Sequence, residues 1–152
     1  MAKKGLLGYL RSLLGEKKKK PKSIELQLSS GNIEDLKWRL TMLMEEKKPF
    51  LTKGYHMKDM ADELRIPVYQ LSAFMNQVMG MNFNDYINRF RIRYCESLLQ
   101  SHQNPRPSLK ELASQSGFNN RNSFADAFKK FTGQRPSEYL RNMVSRDMRQ
   151  PG

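Results

Sequence analysis

LASQSGFNNRNSFADAFKKFTGQRPSEYLR, residues 112–141, decides the fold because its pattern occurs twice in the chain. The earlier copy is MADELRIPVYQLSAFMNQVMGMNFNDY, residues 60–86. Ala61 aligns with Ala113 at an offset of 52, and Leu71 with Phe124, Gly80 with Gly133 and Tyr86 with Tyr139 at an offset of 53. One extra residue therefore lies in the second copy's turn or at the start of the helix that follows. Each copy reads as a short helix, a tight turn, a second helix, a glycine stop and a tyrosine-bearing helix. The small residue in the first helix lets the second cross it closely at a steep angle. A helix-turn-helix needs that crossing, because its second helix must project from the surface to enter a major groove. Two copies in register say more than one pair, which any helical bundle can contain.

Outward from the repeat, the period stays helical and no strand alternation competes. Asn32 is placed to cap a helix whose face holds Ile33, Leu36, Leu40, Leu43 and Met44, ended by Pro49, with Trp38 packed on it. His56 stands where the next cap is expected, ahead of a short helix over about Met57–Leu64. A helix then carries Leu71, Phe74, Met75 and Val78 to Gly80. A long helix from about Asn84 to Ser101 would span about 27 Å at 1.5 Å per residue. It ends at the break His102–Pro107. Ser108 and Glu111 form a capping box for the following helix. Phe124, Phe128 and Phe131 line the next helix, and Tyr139, Leu140 and Met143 the last. The predicted fold is all-α: a seven-helix module with two helix-turn-helix subdomains joined by a long linker helix. Its predicted divisions are a leader over 1–31, a module over 32–145 and a tail over 146–152. Within the module the first unit covers about 32–83, the linker helix about 84–101 and the second unit about 108–145.

Composition narrows the function classes. The 152 residues include 27 Lys and Arg against 15 Asp and Glu, a net charge of +12, and +7 of this lies in the first 22 residues. Such a balance points to polyanions, nucleic acid or an anionic membrane face, without choosing between them. One cysteine, Cys95, cannot build an internal disulfide framework, and a reducing compartment is expected. His56, His102 and Cys95 lie too far apart for a recognisable zinc spacing, and no Gly-rich phosphate loop occurs, so neither metal, cofactor nor enzymatic activity is expected. No apolar run approaches the roughly 20 residues that span a bilayer. In the leader, Leu6, Leu7, Leu10, Leu13 and Leu14 share one helical stripe, interrupted by glycines and followed by Lys17–Lys20. A disordered basic tail is the first reading. A short amphipathic segment over residues 6–20, touching a membrane surface or a protein, is the second.

The residues from Leu112 to Arg141, with Gly117-Phe118, Phe124, Phe128-Lys129-Lys130-Phe131, Gly133 and Pro136-Ser137-Glu138-Tyr139, closely resemble the signature of the AraC/XylS family of transcription regulators. Met60-Ala61, Leu71-Ser72, Gly80 to Phe83, Tyr86 and Leu98-Leu99 resemble the same family's first motif. The resemblance covers roughly Ile33 to Met143. It implies a bacterial, cytoplasmic, nucleoid-associated module that binds double-stranded DNA and activates or represses transcription through RNA polymerase. The family often adds a separate effector domain, and none is expected in the roughly 30 residues that precede the motif here.

The family's base-reading positions fall on Asn120, Arg121, Asn122, Ala125 and Asp126 in the second unit, and on Val68, Tyr69, Ser72, Ala73 and Asn76 in the first. Arg suits guanine O6/N7 and Asn suits adenine N6/N7, so Arg121 and Asn122 are the expected direct readers. Lys129 and Lys130 are expected at phosphates, which add affinity without sequence information. The first unit departs from the family by carrying Ala73, Asn76 and Gln77 where cations are common, so a loosely reading or protein-facing surface is an equal alternative there. If the helical body is independent of the leader, a chain lacking residues 1–30 keeps its helical circular dichroism and a cooperative melt. Loss of that transition would move the boundary.

Overall fold

The computed structural model describes residues 30–101 and 107–149. The basic leader with its leucine stripe, the break over 102–106 and the last three residues lie outside the described residues. Seven α-helices follow one another: α1 Ser30–Met42, α2 Met57–Leu64, α3 Val68–Gln77, α4 Phe83–Gln100, α5 Leu109–Gln115, α6 Arg121–Thr132 and α7 Pro136–Asp147. The fold is all-helical among the described residues.

The first helix begins two residues before the expected cap and stops as a regular helix at Met42. A π-helical turn over Leu43–Lys47 follows, and then a 3-10 turn over Pro49–Leu51. Pro49 bars right-handed helix at Lys48, which adopts φ 48° instead. Trp38 departs from expectation: it is 63% exposed. Two positions from Leu36 and from Leu40, it lies on the opposite side of α1 from that buried pair. Arg39, on the same helix, donates to the Leu64 carbonyl and so satisfies an open acceptor at the end of α2.

The caps account for most helix starts. The Asp59 carboxylate accepts from the His56 N–H at 2.7 Å. Asn82, two residues before the expected start, accepts from Asp85 N–H at 2.9 Å and opens α4. Ser108 and Glu111 form the predicted box, with N–H to carboxylate at 2.7 Å and N–H to hydroxyl at 3.3 Å. Accepting the Ser108 N–H holds the Glu111 carboxyl below its ordinary range.

Two cores form, and α4 belongs to both. Phe83, Tyr86 and Ile87 join Leu40, Met44, Met60, Leu71, Phe74 and Met75 in the first. Ile92, Cys95 and Leu99 join Leu112, Phe118, Phe124 and Phe128 in the second. The second core is largely an aromatic chain, Phe118–Phe124–Phe128–Tyr139, with successive ring centroids 5.2–5.6 Å apart. Phe131 is not part of it; at 37% exposure its ring lies outside, with the Lys130 ammonium 5.9 Å from its centroid.

The repeat is visible in the backbone. Ile66 N–H donates to the Ala61 carbonyl and Phe118 N–H to the Ala113 carbonyl, both at 3.0 Å. The residue before each, Arg65 and Gly117, is left-handed. The turns then diverge: Pro67 directly caps α3, whereas Asn119 intervenes before Asn120 caps α6. Asn119 is therefore the extra residue. Arg65 tolerates its strained φ in the first turn, but the second demands glycine for a further reason. A Cβ on Gly117 would collide with the Phe50 carbonyl oxygen and lie 2.9 Å from the Leu51 Cα.

That close approach joins the units. The 49–53 segment, which leads from α1 to α2, rests on the turn between α5 and α6. Gly117→Ala combines a disallowed backbone angle with this backbone collision, so it is expected to destabilise the chain by more than about 1 kcal/mol. The urea midpoint measures this, and an unchanged midpoint would mean that the two segments do not meet.

Candidate nucleic-acid interface

In the second unit, α6 presents its first turns to solvent. The alternation of buried Phe124, Ala127 and Phe128 with exposed Arg121, Asn122, Ser123, Asp126 and Lys129 follows the helical period. Arg121 and Asn122 are the first two residues of the helix and stand fully out from the core. Ala125 is half-buried and lines the same cleft as Arg121 and Asn122. Asn120 has another task, since its side-chain oxygen accepts the Ser123 N–H at 2.8 Å and caps α6.

Lys129 and Lys130, expected as a phosphate-binding pair, are separated by the structure. One residue apart on a helix means about 100° apart around its axis. Lys129 lines a cleft of about 550 Å³ together with Arg121 and Asp126, and the start of α7 closes it with Arg135 and Ser137. Lys130 points the other way and pairs with Asp85 at the start of α4, Nζ to Oδ1 2.6 Å. It bridges the reading helix to the linker helix. Arg135 was not singled out by sequence, although a cation immediately before a helix-starting proline is a legible signal. A neighbouring groove carries two more cations missed in the same way, Lys53 and Lys110.

The first unit presents a different chemistry from the same scaffold. Val68 and Tyr69, the counterparts of Arg121 and Asn122, are exposed, Tyr69 at 59%. Ser72 is half-buried, and Asn76 is exposed with its amide donating to the Ser72 carbonyl at 2.9 Å. Ala73 breaks the predicted row. It is 8% exposed and packs inward, so its methyl is not available to a ligand in this conformation. The surface of α3 is neutral and partly apolar.

The remaining titratable groups serve the fold. Burial raises the Tyr55 hydroxyl, which donates to Glu63 at 2.9 Å, and pushes Tyr86 up to about 12. Burial also pushes the Cys95 thiol up to about 11. The nearby Ser116 hydroxyl, itself fully buried and without a hydrogen-bond partner of ordinary geometry among the described residues, opposes that rise. Among the described residues no group of three or more His, Cys, Asp or Glu could hold a metal ion. No described helix is long and apolar enough to cross a membrane.

Comparison with known proteins agrees with this geometry. A family model described as a helix-turn-helix domain matches residues 60–142. An uncharacterized HTH-type transcriptional regulator of Escherichia coli (strain K12), YijO, is 27% identical over 150 residues, covering 96% of this chain and 46% of that protein. The chain thus spans less than half the length of this relative. A protein of unknown function from Listeria innocua has 30% identity and a TM-score of 0.56 over 68% of this chain and 92% of its own. The C-terminal domain of AraT, a response regulator from Geobacillus stearothermophilus, superposes with a TM-score of 0.57 at 23% identity, over 76% and 88% of the two chains. At that identity the likeness shows the fold.

The cap on α6 yields a direct check. Asn120→Ala removes the acceptor for the Ser123 N–H and should cost about 1 kcal/mol of stability, while Asn120→Asp or Asn120→Ser should restore most of it. Thermal melts of the three variants measure the effect, and an Ala variant as stable as the parent would show that the cap contributes nothing.

Proposed function

The chain belongs to the AraC-type family of helix-turn-helix transcription regulators, whose modules bind double-stranded DNA, and from that premise we propose that it is a sequence-specific regulator reading two adjacent major-groove segments. The observation that carries the proposal is the placement of α3 and α6. They are equivalent helices, each exposed at its N-terminal end, held on one linker helix of 18 residues. That helix is about 27 Å long, close enough to the 34–36 Å repeat of the major groove for one chain to reach successive turns. No two-fold partner is needed for the reach.

The two helices would read unequally. Arg121 can fork onto guanine, Asn122 can pair with adenine, and Asp126 can accept from cytosine N4 or orient Arg121 across the cleft they share. Lys129 and Arg135 border that cleft and suit phosphate oxygens, which fix register. On α3, Tyr69 and Val68 offer apolar surface to thymine methyls, and Ser72 and Asn76 offer weaker polar contacts. The leader's net +7 would add sequence-independent affinity. RNA polymerase is the proposed partner once the site is occupied, by recruitment or by exclusion. The neutral face of α3 also supports a second reading, a protein-interaction surface on a scaffold that keeps one DNA-reading helix.

Selection of bound sequences from random duplex, at fixed salt, tests these assignments. Arg121→Ala should lose about 1–3 kcal/mol at the selected site and relax preference at one or two base pairs. Lys129→Ala should weaken all duplexes alike and lower the salt slope by about 0.9, one phosphate's share. If Arg121→Ala leaves both motif and affinity intact, α6 is not the reader and the interaction surface takes precedence.

A further inference from the structure

We propose that Arg91 is a positioning residue that sets which spacing between the two DNA segments the chain accepts. The inference rests on the DNA-reading role proposed above and deepens it. A single linker helix fixes the distance between two reading helices but leaves each unit free to rock around the helix axis. The seam beside α4 removes that freedom. From the middle of the helix, Arg91 Nε donates to the Phe50 carbonyl at 2.7 Å and Nη2 to the Thr52 carbonyl at 3.3 Å. The same guanidinium sits 5.3 Å from the centroid of the Phe118 ring. Both carbonyls belong to the first unit, and the ring belongs to the second.

Neighbouring contacts place the seam under the reading helix. Phe118 precedes the Asn119–Asn120 turn that launches α6. Gly117 makes room for the backbone at Phe50 and Leu51. Phe50 in turn stacks on Phe90 of α4, centroids 5.6 Å apart. On the exposed side, Lys53 Nζ donates to Ser114 Oγ at 3.0 Å across the two units, and Lys130 ties α6 to Asp85. The guanidinium is the central member because its rigid fork meets two carbonyls while its face meets an aromatic ring, a combination that a lysine ammonium cannot reproduce. Rotation of α6 around α4 must disturb together the contacts that cross to the second unit: Arg91 on the Phe118 ring, Gly117 against Phe50, Lys53 to Ser114 and Lys130 to Asp85.

DNA makes this rigidity a specificity term. Inserting one base pair between two segments moves one about 3.4 Å along the duplex and about 35° around it relative to the other, given 10–10.5 base pairs per turn. A seam locked at Arg91 cannot follow that rotation; a loosened one can.

The test measures dissociation constants on duplexes carrying both selected segments at the preferred spacing and with one base pair added or removed. The unaltered chain should bind the altered spacings at least about tenfold more weakly, as expected when one recognition helix loses its contacts. Arg91→Met and Arg91→Lys should reduce that discrimination severalfold while leaving affinity for a single segment unchanged. Equal loss at every spacing, the signature of a merely structural role, overturns the proposal, as does discrimination equal to that of the unaltered chain. A DNA-free measurement separates this from failure of the functional reading. Spin labels at Lys58→Cys and Arg141→Cys should show a broader distance distribution in Arg91→Met than in the parent, and an unchanged distribution in a cooperatively folded variant overturns the clamp whatever the chain binds. If Arg91→Met gives no cooperative melt, Ser114→Ala, which removes the acceptor of Lys53 without removing a charge, carries the same two measurements, with a smaller broadening and a smaller loss of discrimination expected and parental values counting against the proposal.

Discussion

Everything in this molecule depends on one helix being shared between two cores. Phe83, Tyr86 and Ile87 at the start of α4 are enclosed by the first unit, and Ile92, Cys95 and Leu99 further along are enclosed by the second. Neither unit has enough chain for an ample core of its own, since small domains bury a smaller fraction of their surface. Borrowing the same helix lets each complete its interior. The arrangement also makes the helix rigid at both ends by packing rather than by propensity. The separation of the two reading helices is thus a by-product of how each core is closed.

Much of this was legible in the sequence because it rests on local rules. The capping box at Ser108, the glycine stops and the offset between Ala61 and Ala113 are short-range signals with short-range causes. Trp38 was misread where a residue's type was allowed to stand for its direction, and residue type was equally silent on the directions of Lys130 and Ala73. Trp38 is large and apolar yet two positions out of phase with the buried stripe of α1. Lys130 is a cation beside a cation, but its angular position carries it to Asp85. Ala73 occupies a slot that in the repeat corresponds to exposed Asp126, and a methyl there turns inward. The seam was illegible for a different reason. Phe50, Arg91 and Gly117 lie far apart in sequence, and nothing local in any of them announces that a carbonyl, a guanidinium and a missing Cβ will meet.

The two units also show how one backbone can be specialised by little change. Arg65 and Gly117 hold the same left-handed position, and the hydrogen bonds that follow them match in length. The only insertion is Asn119. What differs is the outer surface: tyrosine, valine and small polar residues on α3, arginine, asparagine, aspartate and lysine on α6. On the proposed reading, the second unit supplies directional readout and the first supplies shape and apolar contact. The cores beneath tolerate that divergence because the outward positions carry almost none of their packing.

Cys95 has a consequence of its own. The chain contains one cysteine; it is wholly enclosed in the second core and its thiol is pushed up to about 11 by burial. Thiolate is the species that attacks a disulfide reagent, so the native group is withheld both by access and by protonation. Exchange with such a reagent must wait for the surrounding helices to part. Its rate counts local openings of the second unit alone, with no competing thiol in the first. The protein therefore carries its own clock for the breathing of one half of the molecule, and a ligand that steadies that half would be timed by it without any added label.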